Sequence, residues 1–325
     1  MESLLPDEVI VSEILTRVSL SALLRQFQWV CRDWHNCIHE SKFQLTHSQR
    51  TPTVTSGFFL VMRRSIENIS DSIRFFPFND AHSRNNPSPS LDFLPSPVRI
   101  AGSSAYGSMF CCVTLDKSRT TKSIPMFYIC KPATREWRKI PNPRTRFDNF
   151  GMRIVVTQTH PTLQYKIVRI SHGGVILEYH GEIFDSVTWA WKRLPDVKTS
   201  GCLVHSSGGV YINGCLHWIN NMRQIYVLSI EQEKWDAVIH LPPDIECEFN
   251  FRPLLILIDG KIGVLISSIK EWTELWVLEN YYSHTSWKKR YRKDLRALSS
   301  EIGGECLPIA MSSTGIIFML GAAAP

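Results

Sequence analysis

The chain has 325 residues, 44% of them hydrophobic, with a net charge of +6 and a pI near 8.8. That length accommodates one small and one large domain around a sizeable apolar core, and so mild a basic bias falls below that of a dedicated nucleic-acid-binding domain. No apolar run of about 18 residues marks a membrane span, no basic stretch followed by an apolar core opens the chain, and the nine cysteines are scattered without a CxxC pair, which favours reduced thiols in a cytoplasmic or nuclear protein.

Residues 1–45 read as a small helical head. Pro6 suits a first helical turn, where its missing N–H is an orphan anyway, and Asp7 and Glu8 place negative charge at the positive end of the helix dipole. Ile10, Ile14 and Val18 recur every four residues with Val11 and Leu15 beside them, which predicts one wide apolar stripe. Ser19 and Ser21 can end that helix and cap a second one carrying Leu23, Leu24 and Phe27. Trp29, Val30, Trp34 and Ile38 make a third apolar set. Three helices this short are near the lower limit of independent stability, so they must bury surface on the body or on a partner.

The head resembles a known module. Leu5-Pro6-Asp7-Glu8-Val9, then Glu13-Ile14-Leu15-x-Arg17, then Leu23-Leu24, then Val30-Cys31-x-x-Trp34 resemble the F-box, a three-helix unit. The resemblance implies docking on a Skp-type adaptor and, through it, on a cullin–RING ubiquitin ligase of the SCF type. The adaptor-facing set it implies is Leu5, Pro6, Asp7, Ile14, Leu15, Leu23, Leu24, Val30, Cys31 and Trp34. Val18-Ser19 stands where many plant F-boxes carry Leu-Pro. One residue more than the family spacing also separates Leu24 from Val30. On a continuous helix that residue would rotate everything after it by about 100°, so a loop or a π-type bulge is expected to absorb it. The other reading of the same residues is an apolar helical hairpin that caps the body.

A linker is expected over 46–52 and a β body over 53–325. Short apolar or alternating runs recur at Gly57–Met62, Met126–Cys130, Arg153–Thr157, Tyr165–Ile170, Val175–Tyr179, Val210–Ile212, Ile225–Ile230, Leu254–Ile258, Lys261–Ile266 and Glu274–Leu278. Turn residues separate them, as in an all-β sandwich, barrel or propeller. Asn213-Gly214 and Asp259-Gly260 are two-residue hairpin signals, because both central positions can take a positive φ.

Internal repetition selects among those folds. A unit of turn, Trp, basic or polar residue, apolar residue and Pro recurs around Trp137, Trp191 and Trp235, and more weakly around Trp287, at steps of 54, 44 and 52 residues. Those steps approach the blade period of kelch-like propellers, roughly 40 to 50 residues. A strand, a tight turn and a Trp-bearing strand make the outer hairpin of a blade, so Trp137, Trp191, Trp218, Trp235 and Trp287 are expected in blade cores. The same segments resemble the plant F-box-associated domain. The matching pieces are the turn before Trp137, the strand Gln164–Ile170 and, most specifically, Gly209-Val-Tyr-Ile-Asn-Gly-Cys-Leu-His-Trp218. The resemblance implies a β-propeller-like array, mainly β with a small α head, whose loops recruit a protein.

Two stretches depart from that pattern. Residues 77–97 are rich in Pro, Ser and Asn and read as a long loop. The last blade, ending at Gly-Ala-Ala-Ala-Pro, is expected to be incomplete. The basic run Lys288, Lys289, Arg290, Arg292, Lys293 is expected at a solvated hairpin end. No GxSxG, HExxH or P-loop occurs. His35 and His39 share a helix face without a Glu to make a zinc site, and the carboxylates lie singly. The expectation is a non-catalytic subunit with no metal and no cofactor. Its substrate-binding loops would be among Asn142–Asn149, Thr199–Gly208 and Asp244–Phe251. A propeller enzyme or small-ligand binder, and a scaffold without ligase coupling, are the competing readings.

Overall fold

The computed structural model describes residues 9–18, 22–23, 26–40, 43, 46–47, 50, 57–62, 72–77, 90–104, 109–115, 124–132, 134–147, 149–158, 162–173, 175–203, 209–245, 253–268, 271–281, 285–302, 304–311 and 317–323. The chain divides into two compact units. Unit 1 comprises 1–100, 108–140 and 156–165; unit 2 comprises 101–107, 141–155 and 166–325. The expected loop at 77–97 falls largely outside the described residues.

Unit 1 begins with the head. Among its described residues α1 (Arg32–His39) is continuous, Ala22 and Leu23 are also helical, and π-helical and 3-10 turns lie between. Residues Ile10–Ile14 form a π-helical turn in which Leu15 N–H donates to the Ile10 carbonyl, and a 3-10 turn over Leu15–Arg17 follows. The chain is extended by Val18. Leu15, Leu23, Ile38 and Phe43 form a small buried core, flanked by Ile10, Val11, Val18, Phe27, Trp34 and Cys37. The expected linker is partly helical, and it is engaged: the His47 ring bonds the Val18 carbonyl at 2.7 Å, and Arg50 pairs with Glu13 at 3.1 Å. These two contacts tie described residues beyond 45 to the head.

The β part of unit 1 holds a hairpin, β1 (Gly57–Met62) with β2 (Ser72–Pro77). An antiparallel set follows, β4 (Phe110–Thr114), β5 (Phe127–Lys131) and β6 (Glu136–Ile140). Its core gathers Leu91, Leu94, Phe110, Cys112, Tyr128 and Cys130, with Phe59 packed edge-on against Phe110. Cys111 and Cys112, adjacent in sequence, are both buried.

Unit 2 is a series of antiparallel meanders, each the pattern of a propeller blade. The first runs β7 (Asn149–Gln158), β8 (Gln164–His172), β9 (Glu178–Asp185) and β10 (Ala190–Arg193), with β11 (Val197–Lys198) also on β9. At its inner end, Gly102 and Ser103 of β3 (Val98–Ser103) pair in parallel with Met152 and Arg153. The second runs β12 (Val210–Ile212), β13 (Cys215–Ile219), β14 (Gln224–Ser229) and β15 (Lys234–His240). The third runs β16 (Leu254–Ile258), β17 (Lys261–Ser267), β18 (Trp272–Asn280) and β19 (Ser286–Asp294). A short helix, α2 (Arg296–Ile302), leads to a two-stranded pair, β20 (Gly304–Met311) with β21 (Ile317–Ala323).

Turn chemistry explains the registers. Asn213 and Gly214 take φ of 50° and 75°, and Asp259 and Gly260 take 49° and 69°, the conformation a tight two-residue hairpin requires. The strand expected over Val175–Tyr179 starts late. Val175–Leu177 is a hairpin tip, and β9 starts only at Glu178. Leu177 adopts a φ of 65°, the Gly173 N–H bonds the Glu178 carbonyl across the turn, and Ile176 is 87% exposed. The apolar run reads as a strand, but the glycine before it begins a turn.

Two inter-sheet cores fill unit 2. Val168, Ile170, Tyr179, Ile183 and Leu194 of the first meander meet Leu216, Trp218, Tyr226 and Leu228 of the second. Ile219, Ile225, Val227 and Ile239 of the second meet Leu255, Ile262, Val264 and Trp276 of the third.

Candidate functional site

The head's predicted adaptor-facing residues separate into two groups. Leu15 and Leu23 are fully buried in the head's own core. Ile14 is 44% exposed and Val30 61% exposed. The π-helical turn causes the first division. An extra residue per turn shifts the phase, so Ile14 leaves the stripe predicted with Ile10 and Val18, and Leu15 takes the buried position. Trp34 is half-buried and stacks on Phe27 with ring centroids 6.0 Å apart. Cys31 is exposed, and its sulfur caps α1 by accepting from the Trp34 N–H at 3.4 Å. Leu5, Pro6, Asp7 and Leu24 lie outside the described residues.

The spacing between Leu24 and Val30 is accommodated by breaking the helix. Gln26 has left helical geometry with φ −124°, Phe27–Trp29 form a 3-10 turn, and Cys31 is extended with φ −155° and ψ 169°. The break turns Trp29, 73% exposed, and Val30 outward together. With Val9 and Ile14 they make four large exposed apolar side chains among the head's described residues, outside the core of Leu15, Leu23, Ile38 and Phe43. Trp29 was a signal the sequence offered as part of the third apolar set, without a role at a surface.

In the body the tryptophans form a repeating device. The Trp191 indole N–H donates to the Pro141 carbonyl at 2.7 Å, that of Trp235 to the Pro195 carbonyl at 2.9 Å, and that of Trp287 to the His240 carbonyl at 3.0 Å. Each acceptor ends the preceding Trp-bearing repeat, so one repeat supplies both a donor and the next acceptor. Trp191 is buried, whereas Trp235 and Trp287 are half-buried against their cores. Trp218 is buried beside Trp235, centroids 5.8 Å apart. Its indole fits because Gly209, at φ 88°, has no Cβ; one there would lie 2.9 Å from the ring. Trp137 does not join the series. It is 44% exposed on β6 and packs only its edge against Tyr128, because β6 keeps just Ile140 buried.

Polar networks set the geometry of the loops. On β8 and β9, Arg169 and Glu182 are cross-strand partners in a buried ion pair of 2.5 Å. Charged residues in the middle of two apolar strands were the sequence signal for it, and it was missed. His217 is fully buried on β13. Its Nδ1 donates to the Val210 carbonyl at 3.1 Å, so Nε2 accepts from the Tyr281 hydroxyl at 2.7 Å. Burial pulls its pKa down to about 4, against the opposing pull of its backbone bonds. Beside Tyr281 lies a cavity of about 320 Å³, lined by Ile212, Asn213, Lys261, Ile262, Leu278 and Glu279 among others. The basic run is a solvated strand, β19, and three of its five cations are paired. Lys289 and Arg292 pair with Glu274, and Arg290 pairs with Glu279. Among the described residues no group of His, Cys, Asp and Glu could hold a metal ion.

Residues 61–314 match the F-box associated beta propeller domain. A body built of such blade meanders is propeller-like. The chain belongs to the F-box associated beta propeller domain family. Its relatives in Arabidopsis thaliana include F-box protein At5g49610, 26% identical over 93% of this chain and 82% of the relative. F-box protein At5g41720 is 37% identical over 25% of this chain and 43% of its own length. F-box protein DOR is 26% identical over 58% and 48%. Among solved structures, the β-propeller domain of Cps50 (Swd1) aligns with a TM-score of 0.35 and 9% identity, over 61% of this chain and 59% of that one.

Proposed function

We propose that this chain is the substrate-recognition subunit of an SCF-type ubiquitin-protein ligase. The head is an F-box that docks on a Skp-type adaptor, and the propeller body recruits the protein to be ubiquitylated. The family membership and the F-box relatives support the class. The observation that carries the docking role is the head's outward set of Val9, Ile14, Trp29 and Val30 around a core already closed by Leu15, Leu23, Ile38 and Phe43. Fully burying one large aliphatic or aromatic side chain contributes about 1.5–3 kcal/mol, so a partner that covers this set gains a tight contact without refolding the head. Leu15 and Leu23 support the surface from beneath, whereas Ile14, Trp29 and Val30 make it. The chain itself makes and breaks no bond in this reading. Holding a substrate lysine beside a charged conjugating enzyme raises its effective concentration.

Co-purification of the full chain with a recombinant Skp-type adaptor tests the reading. The wild type should form a stoichiometric complex. The Ile14→Asp/Val30→Asp double variant should lose it while its circular dichroism stays unchanged. A wild type that fails to bind the adaptor leaves a scaffold without ligase coupling and removes the proposal.

A further inference from the structure

The loop 141–147 combines two properties that seldom coincide, exposed side chains at Arg144, Arg146 and Phe147 and a buried anchor. Both oxygens of Glu182 reach it. Oε1 accepts from the Arg144 and Thr145 backbone N–H groups at 2.8 and 3.1 Å, and Oε2 accepts from the Thr145 hydroxyl at 2.7 Å. Arg169 completes the clamp by donating to the Thr145 hydroxyl at 2.9 Å and to the Phe147 carbonyl. A buried ion pair is weak evidence for stability, since desolvation offsets most of its attraction. Here nearly all of its hydrogen bonds fix one surface loop, which is preorganisation of what that loop displays.

The displayed groups are specific. Arg144 and Arg146 are exposed and pair with no carboxylate among the described residues. Phe147 is exposed and lies flat on His180, with ring centroids 4.6 Å apart and planes 11° from parallel. His180 in turn bonds Asp196 at 2.8 Å, and Arg193 bonds the other Asp196 oxygen at 2.7 Å. Burial would raise the Asp196 pKa, but these two bonds outweigh it and hold the carboxyl below its usual range. Arginine and a supported aromatic ring are the residue types that anchor protein interfaces.

We propose that this loop is a preformed docking edge for an acidic polypeptide segment. Arg144 and Arg146 take its carboxylates, and the free face of Phe147 takes a neighbouring apolar side chain. The inference rests on the substrate-receptor reading and names the chemistry of the protein recruited. Two arginines do not match a nucleic-acid backbone, whose binders neutralise roughly 6–10 phosphates.

A phage-displayed random heptapeptide library selected on the full chain is the test. Recovered peptides should carry Asp or Glu beside an apolar residue. They should bind Arg144→Glu/Arg146→Glu and Phe147→Ala roughly tenfold or more weakly, and raised salt should weaken them on the wild type. Thr145→Val should weaken them with its fold intact by circular dichroism, and Thr145→Ser should restore binding, which a merely structural role would not require. Recovery of basic or uncharged peptides, no enrichment, undiminished binding by the arginine variant, or displacement of the peptides by single-stranded nucleic acid overturns the proposal. The arginine variant should still capture the Skp-type adaptor. Peptide selection without adaptor capture by the wild type would remove the ligase reading and leave this surface standing; the converse removes this surface alone.

Discussion

The head and the second unit of the body differ in where their large apolar side chains go. In unit 2 most of them are consumed internally: the meanders share two cores, and three tryptophans tie successive repeats through their indole N–H groups, while Ile176, Val187 and Met222 stay exposed at turns. In the head, a core of four residues suffices, and Val9, Ile14, Trp29 and Val30 are left outside. The difference teaches that apolar content alone does not locate a surface. What decides is whether the local backbone turns a side chain inward, and in the head a π-helical turn and a helix break decide it.

The sharpest test of the internal use is Trp191. It is buried, donates to Pro141, and lies 5.5 Å from Phe184 by ring centroids. Trp191→Ala should lower stability by about 3–5 kcal/mol, the cost of a large cavity in a packed core, read from the urea midpoint by far-UV circular dichroism. Trp137→Ala, at an exposed edge position of the same sequence motif, should change it by about 0.5 kcal/mol or less. Equal losses would mean that the motif, not the indole's environment, sets the contribution.

A somewhat smaller effect comes from His217. Its folded pKa of about 4 lies below its ordinary value of 6.5, so between those values the unfolded chain binds the proton and the folded chain does not. Stability is complete above pH 6.5 and falls as the pH drops toward 4, by about 3 kcal/mol in all. Urea midpoints at pH 7, 6, 5 and 4.5 should show the slope, and His217→Asn should flatten it in that window. A wild-type midpoint unchanged between pH 7 and 4.5 would mean that the imidazole is not sealed as its contacts with Val210 and Tyr281 indicate.

Much of the β body is legible in the sequence because its signals are local. Leu254–Ile258 and Val210–Ile212 are strands as their apolar runs predict, and Asn213-Gly214 and Asp259-Gly260 make the hairpins their residue types demand. The Trp repeat gives the meander spacing. Local signals fail where position along a repeat decides burial. Trp137 carries the same motif as Trp191 yet sits on a strand with one buried residue. Val175–Leu177 has strand composition but lies at a turn held by the Gly173 and Glu178 backbone. The stretch Asn142–Asn149 was legible as a loop up to Phe147. Its anchor was not, because Arg169 and Glu182 meet only through the cross-strand register of β8 and β9. In the head, periodicity found the apolar residues but did not tell which of Ile14 and Leu15 faces inward, since a π-turn leaves no distinct trace in a four-residue spacing.

That division yields the most direct probe of the contrast between head and body, a large effect set beside a small one. Ile14 and Leu15 are neighbours of the same chemical kind, and the π-turn sends one outward and the other into the core. Leu15→Ala should destabilise the head by about 2–5 kcal/mol, seen as loss of amide-exchange protection in α1. Ile14→Ala removes a similar number of carbon atoms but should shift that protection by about 0.5 kcal/mol or less, while weakening capture of the Skp-type adaptor. If Ile14→Ala unprotected α1 as strongly as Leu15→Ala, the outward set would be part of the head's own core, and an apolar cap on the body would explain the head better than a docking surface.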